Sequence, residues 1–300
     1  MISLKQLVYA LAVADTLHFK KAADRCAVSQ SALSTAINEL ESRLGLQLFE
    51  RDNKKVLLTT EGRLILDKAR DIKIQVDELQ AFAASFKAPL STPMTLGVIP
   101  TIGPYLLPRA LPAVRKAYPD FKLSIVEEQS QDLLDKVRRG DIDAAILALP
   151  YDIQGLLSFE FWEENFVLVA HSDSELANLK QISTEELKHA HLLLLKEGHC
   201  LKDHALAACK LKTAEVDHSL AGTSLHTLVQ MVAGRMGLTL IPEMAVPSLL
   251  HDNPELKTIT LADPGPHRSI ALICRLNYAG VNNLEVLKKL FIEGLKQKPH

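Results

Sequence analysis

The stretch HFKKAADRCAVSQSALSTAINELESRLG (residues 18–45) predicts two short helices joined by a tight turn. After the turn at Ala27-Val28, Ser29 is a natural N-cap for the second helix, and Gly45 is a natural residue to end it. The apolar positions that follow helical spacing are Phe19, Ala22, Ala23, Cys26, Leu33, Ala36, Ile37 and Leu40. Two helices that cross at small residues around such a turn form a helix-turn-helix.

The outward face of the second helix carries small and amide side chains near its N-terminus. These are Gln30, Ser31, Ser34, Thr35 and Asn38. A recognition helix places its base-reading groups there. The next segment, LFERDNKKVLLT (48–59), predicts a hairpin with Arg51, Lys54 and Lys55 at its tip, suited to phosphate contacts. The pattern favours a DNA-binding head, and the alternative is a small helical bundle with a solvated polar face.

A capping box at Ser3 and Gln6 predicts a helix before this stretch, and Thr59 can cap a long helix after it that runs to about Phe86. Within the long helix, seven positions alternate in steps of four and three residues, as in a heptad seam. They are Ile65, Ala69, Ile72, Val76, Leu79, Ala83 and Phe86. The strict period favours a partner helix in a dimer over packing on the same chain. The segment KAPLSTP (87–93) reads as a hinge.

Composition narrows the class of protein. The 300 residues suggest two or three domains, and the net charge of −2 excludes a uniformly basic coat, although residues 1–58 have a small excess of Lys and Arg. The apolar run AAILAL (144–149) is too short to span a bilayer. The N-terminus reads as a helix and not as a signal peptide, so we expect a cytoplasmic protein whose four cysteines are kept reduced.

From Met94 onward, short apolar strands alternate with helical stretches, which predicts an α/β fold with parallel sheet. The sequence pattern changes near 160–166, and a final strand and helix follow residue 266, which suggests two lobes. Two strand ends offer hydroxyl groups at a potential site: Thr101 after the first strand and Ser130 after the second. The alternative for both residues is an ordinary N-cap.

The segment KEGHCLKDHALAAC (196–209) holds two of the four cysteines. If it is helical, Cys200 and Cys209 are about 13.5 Å apart along the axis and on opposite faces. A disulfide needs Cα atoms within about 7 Å, so the two could pair only if the helix unwound. Cys26 and Cys274 read as small core residues.

Three interpretations of Cys200 remain open on the residues alone. A thiol at a helix N-terminus is stabilised as thiolate, here also by Lys202 and by a protonated His199, and thiolate is the form that attacks an O–O bond. Thr101, Ser130 and His199 are suitable donors for the departing oxygen, and a sulfenic acid condenses with a second thiol. A zinc site would use His199, Cys200, His204 and Cys209, but their spacing matches no common pattern. The third interpretation is a purely structural cysteine.

The N-terminal stretch resembles the winged head of the LysR-type transcriptional regulators. The shared residues are Phe19, Ala22, Ala23, Ser29, Gln30, Ser34, Ile37, Leu40, Glu41, Leu44, Gly45, Leu48, Phe49, Arg51, Leu58, Thr59 and Gly62. Ser31 replaces a proline common in the family, which predicts an altered base contact. The resemblance implies a winged helix-turn-helix (1–58), a linker helix and hinge (59–90) and a two-lobed periplasmic-binding-protein-like domain (91–300). Lobe I would span about 91–164 and 267–300, and lobe II about 165–266.

The segments GHCLKDHALAAC (198–209), IPTIGPYLLP (99–108) and GLTLIP (237–242) resemble the peroxide-sensing members of that family. The resemblance implies that Cys200 is the peroxidatic and Cys209 the resolving cysteine. The peroxide pocket would be formed by Thr101, Ser130, His199, Asp203 and Arg268. His267 stands where the family commonly has a second Arg, which leaves the role of that edge open.

The implied partners are promoter DNA, a second or further copies of the chain (homodimer or homotetramer), RNA polymerase, hydrogen peroxide as the signal and a glutaredoxin-type reductant. No cofactor, membrane or enzymatic turnover is expected. Two alternatives remain: a LysR-type regulator whose cleft binds a metabolite, and a thiol peroxidase, which the DNA-binding head argues against.

Overall fold

The structure is a computed structural model that describes residues 1–52, 55–85, 88–187, 190–196, 200–208, 221–222 and 224–296. The chain divides into two compact units, Met1–Ala83 and Ala84–His300. Each unit has its own hydrophobic core. No helix among the described residues is long and apolar enough to cross a membrane.

The first unit contains a helix-turn-helix followed by a hairpin and a long helix. Its elements are α1 (Leu4–Thr16), α2 (Phe19–Arg25), α3 (Gln30–Leu44), β1 (Phe49–Asp52), β2 (Lys55–Leu58) and α4 (Thr60–Ser85). The predicted capping box is present, with the Ser3 hydroxyl accepting from the Gln6 amide and the Gln6 side chain accepting from the Ser3 amide. α3 begins at the Ser29 cap and ends at Gly45, whose φ of 66° suits glycine. These predicted helices are confirmed.

The hairpin is held against α3 by one carboxylate. Glu41 Oε1 accepts hydrogen bonds from the Leu48 amide (2.7 Å) and the Phe49 amide (3.1 Å), which begin β1. The Thr59 hydroxyl accepts from the Gly62 amide at 2.8 Å and so caps α4, as predicted. A Cβ at position 62 would lie 2.2 Å from the Leu48 carbonyl oxygen, so only glycine allows this close approach of helix and hairpin.

The predicted heptad seam of α4 has two parts. Ile65 and Ala69 pack against the core of the first unit, so this end of the seam is used within the chain. Further along, Ile72 is 46% exposed and Leu79 is 67% exposed. Phe86 lies outside the described residues. The C-terminal part of the seam therefore remains available for a partner helix.

The second unit contains two sheets. Its strands are β3 (Met94–Val98), β4 (Leu123–Glu127), β5 (Ala144–Leu149), β6 (Leu156–Glu164), β7 (Phe166–His171), β8 (Gln181–Ile182), β9 (Leu192–Leu195), β10 (Ala221–Gly222), β11 (Leu238–Pro242), β12 (Leu256–Leu261) and β13 (Arg268–Arg275). Its helices are α5 (Gly103–Ala117), α6 (Ser130–Arg139), α7 (Thr184–Leu187), α8 (Cys200–Ala208), α9 (Leu225–Ala233), α10 (Val246–Leu249) and α11 (Val281–Lys296). One sheet has the order β4-β3-β5-β13-β6 and the other β10-β9-β11-β7-β12-β8.

Both sheets are mixed, so the predicted parallel pairing is present in each sheet but does not extend through it. β3 runs parallel to β4 and β5, whereas β13 is antiparallel to both β5 and β6. In the other sheet, β7 is antiparallel to β11 and β12. The antiparallel strands follow the two points where the chain passes between the sheets, at 164–166 and at 262–267. The lobe that holds the five-stranded sheet is called lobe I below, and the other lobe II.

Candidate functional site

The predicted recognition face of α3 is open to solvent. Gln30, Ser31, Thr35 and Asn38 are exposed, while Ser34 is half-buried. The opposite side of the helix, with Leu33, Ile37 and Leu40, is fully buried in the head. Of the predicted wing residues, Arg51 and Lys55 have backbone in β1 and β2, but their side chains and all of Lys54 lie outside the described residues.

Cys200 is the first residue of α8, which confirms the predicted helix after the strand β9. Its side chain is buried, with 3% of the residue exposed. Two of the predicted site residues, His199 and Cys209, lie outside the described residues.

The Cys200 thiol lies beside groups from lobe I. The Ser130 hydroxyl at the start of α6 and the Ala148 backbone in β5 are close to it, and the charge of the Arg268 guanidinium at the start of β13 acts on it. Ser130 Oγ is itself buried and makes no hydrogen bond of ordinary geometry. The structure thus brings together three of the residues predicted from separate parts of the sequence.

Burial of Cys200 acts against the expected thiolate form. Burial raises the pKa of this thiol, and the Asp203 carboxylate adds to the increase, while Ser130, Arg268 and the Ala148 backbone act in the opposite direction. The expected stabilisation by a helix N-terminus and nearby cations is outweighed by the loss of water around the sulfur.

Arg268 is held in a buried ion pair with Glu164, a residue that the sequence pattern did not indicate. Its Nε donates to Glu164 Oε1 at 2.8 Å, and both side chains are almost fully shielded from solvent. Its Nη2 donates to the Thr101 backbone oxygen at 3.2 Å and its Nη1 to Thr101 Oγ1 at 3.4 Å. Glu164 Oε2 also accepts from the Met244 amide. This network fixes the guanidinium next to Thr101.

The alternative that Thr101 and Ser130 are ordinary N-caps is wrong. The N-cap of α5 is Ile102 and the N-cap of α6 is Gln129, and neither cap makes a side-chain hydrogen bond. Both hydroxyl residues are instead buried, with 3% and 1% exposure, respectively.

α8 carries two further polar groups near the thiol. Asp203, predicted as part of the pocket, is exposed. His204 is buried, and its Nε2 lies 2.7 Å from the Pro150 carbonyl oxygen, just beyond β5. The sequence pattern indicated His204 only as a possible metal ligand. Among the described residues, no cluster of three or more His, Cys, Asp or Glu could hold a metal ion.

An open cleft of about 500 Å³ lies at one end of the five-stranded sheet. Its lining includes Tyr151, Glu160, Glu163, His267 and Arg268. Arg268 therefore borders both the cleft and the surroundings of Cys200, whereas Thr101 and Ser130 do not line the cleft.

A winged helix-turn-helix head joined by a long helix to a two-lobed α/β body defines a class of DNA-binding transcriptional regulators in which one chain carries both the DNA-reading and the sensing part. Residues 4–63 match the model of the bacterial regulatory helix-turn-helix proteins of the lysR family. Residues 87–295 match the LysR substrate binding domain. The chain belongs to the LysR family.

Three similar proteins illustrate the range of the family. A probable hydrogen peroxide-inducible genes activator from Streptomyces viridosporus is 39% identical over 99% of this chain and 96% of its own length. The HTH-type transcriptional regulator EstR from Acinetobacter baylyi is 38% identical over 91% of this chain and 90% of its own. Among solved structures, a full-length OxyR variant from Pseudomonas aeruginosa has a TM-score of 0.80 at 32% identity, covering 97% of this chain and 95% of that one.

Proposed function

We propose that this LysR-type regulator senses hydrogen peroxide through oxidation of Cys200. The observation that carries the proposal is the buried Cys200 thiol at the start of α8, close to the Ser130 hydroxyl and subject to the charge of the Arg268 guanidinium. The peroxide-inducible activator and the OxyR structure to which the chain is similar support the same assignment.

In the first step, the Cys200 thiolate attacks one oxygen of hydrogen peroxide. The O–O bond breaks, its electron pair stays on the second oxygen, and that oxygen takes up a proton and leaves as water. Sulfur is thereby oxidised to a sulfenic acid. The Arg268 charge favours the thiolate, and the hydroxyl groups of Thr101 and Ser130, with His199, are the donors proposed to stabilise the departing oxygen. Asp203, on the same helix, completes the proposed pocket.

In the second step, the Cys209 thiolate attacks the sulfenic sulfur, hydroxide leaves, and a disulfide forms. α8 is continuous from Cys200 to Ala208, which separates these two Cα atoms by about 12 Å. Cys209 follows Ala208 directly, so the Cα atoms of these two residues are about 3.8 Å apart, whichever way the chain turns. The Cys200 and Cys209 Cα atoms are therefore at least about 8 Å apart, beyond the reach of a disulfide. Because of this, the second step requires α8 to unwind.

Unwinding of α8 is proposed to alter how copies of the chain pack in a dimer or tetramer, and thereby the contacts with promoter DNA and RNA polymerase. The exposed Ile72 and Leu79 on α4 supply an apolar face for a second copy. A glutaredoxin-type reductant would return the disulfide to two thiols. In this scheme the protein is a switch and turns over no substrate.

The mass of the protein tests the redox chemistry. After about one equivalent of peroxide, we expect the intact chain to become lighter by two hydrogen atoms and to accept two fewer thiol labels. Peptide mapping should join Cys200 to Cys209. A stable gain of one oxygen on Cys200, with Cys209 still labelled, would contradict the second step, and full labelling of both would contradict the function.

Two variants of the DNA-binding head distinguish base reading from phosphate binding. Gln30→Ala removes an exposed amide from the recognition face and is expected to weaken binding to the specific promoter more than binding to random DNA. Lys54→Ala is expected to weaken both by similar factors and to reduce the salt dependence. Fluorescence anisotropy at two salt concentrations measures the affinity for each DNA and its salt dependence. Equal losses on both DNAs for Gln30→Ala would contradict its base-reading role.

The open cleft favours a second candidate function, a LysR-type regulator that responds to a metabolite. Its 500 Å³ volume is in the range of small-molecule sites, and the similar protein EstR is not named for peroxide. A promoter response that needs a small molecule and survives replacement of Cys200 would favour this candidate.

A further inference from the structure

His204 connects α8, the helix that begins at Cys200, to lobe I. It lies four residues after Cys200 in α8, so both side chains are on the same face of the helix. Its Nε2 is 2.7 Å from the Pro150 carbonyl oxygen, which follows β5 of lobe I. A carbonyl oxygen only accepts hydrogen bonds, so Nε2 must carry the proton and donate it.

The other ring nitrogen of His204 has no such partner. Nδ1 is buried and makes no hydrogen bond. Burial and the Arg268 charge lower the pKa of His204, although Asp203 and the bond to Pro150 act in the opposite direction. The ring is therefore neutral at neutral pH, with its single proton on Nε2. The hydrogen bond from Nε2 to Pro150 holds the ring in place. The burial of Nδ1 without a hydrogen-bond partner favours movement of the ring into water.

We propose that the hydrogen bond from His204 to Pro150 is a latch that keeps α8 folded against lobe I and sets the rate of disulfide formation after Cys200 has been oxidised. The inference rests on the proposed function, because it concerns the second redox step. α8 must unwind before Cys209 comes within disulfide distance, and unwinding carries His204 away from Pro150. His204 is thus a positioning residue that acts on the switch and not on the reaction with peroxide.

Two amide variants distinguish an effect of the hydrogen bond to Pro150 from an effect of any polar side chain at position 204. In His204→Gln the amide nitrogen reaches the position of Nε2 and can donate to Pro150, whereas in His204→Asn it reaches only the position of Nδ1. Both are uncharged, and they differ by one methylene group. Circular dichroism and binding of the reduced protein to promoter DNA check that both variants fold.

We expect His204→Asn to form the disulfide about three- to tenfold faster than wild type, the range for loss of one net hydrogen bond. His204→Gln should match wild type, and the rate of sulfenic acid formation should be the same in all three. Rapid-quench thiol labelling separates the two steps. Hydrogen exchange of 201–208 in the reduced protein should also be faster in His204→Asn alone.

Equal disulfide rates and equal exchange in the two variants would overturn the latch while leaving the proposed function intact. A change confined to sulfenic acid formation would also overturn it. If wild type itself forms no disulfide, the proposed redox switch fails. Hydrogen exchange still decides whether His204 holds α8, because that measurement needs no oxidant.

Discussion

Replacing Cys200 by serine is expected to abolish the response to hydrogen peroxide on promoter DNA. Serine preserves the size of the side chain at the start of α8, but its hydroxyl cannot be oxidised to a sulfenic acid. The variant should bind promoter DNA like the reduced wild type, and its footprint should not change with peroxide. Footprinting with and without peroxide measures the effect, together with thiol labelling of Cys209, which should stay reduced.

Cys274 supplies the matched control. It is fully buried in β13, and burial raises the pKa of its thiol to about 11. The cation that acts on its pKa is Arg275, which is not part of the site, and neither Ser130 nor Arg268 is among the groups that shift it. Cys274→Ala should therefore retain the full peroxide response. A full response in Cys200→Ser would refute the peroxide-sensing function and favour the metabolite-binding alternative.

Local sequence signals predicted the head accurately because each element carries its own start and stop residues. Ser3, Ser29, Thr59 and Gly45 make the contacts or adopt the backbone conformation that their positions indicated. In the body, β3, β5 and β7 belong to the short apolar strands that the alternating pattern after Met94 predicted. β6 was not, because its sequence LLSFEFWEE mixes exposed acids with apolar residues and lies at the edge of its sheet.

The site was predictable only in part, because its geometry depends on residues far apart in sequence. Thr101 and Ser130 stood out as hydroxyls after strands. Glu164 carried no local signal, since its role arises from pairing with Arg268 across 104 residues. The direction in which the pKa of Cys200 is shifted could not be predicted from the sequence either. The sequence indicated the helix N-terminus but not how deeply the thiol is buried.

Loss of Arg268 is expected to have the largest effect on stability. Arg268→Met leaves the Glu164 carboxylate buried without its cation, which should lower the free energy of unfolding by about 3–5 kcal/mol. Arg268→Met with Glu164→Gln should recover most of that loss. The neutral amide needs no cation, and its oxygen can still accept from the Met244 amide, as Glu164 Oε2 does. Urea denaturation of wild type, both single variants and the double variant measures the coupling between the two residues.

The same double variant separates the structural from the chemical role of Arg268. Its stability should be close to wild type, but the charge that lowers the pKa of Cys200 is gone. The pKa of the thiol should therefore be higher than in wild type, and alkylation and peroxide oxidation of Cys200 should be slower at neutral pH, with the rate–pH curve moved to higher pH. A double variant that is stable and reacts like wild type would mean that Arg268 neutralises the buried Glu164 carboxylate without acting on the thiol.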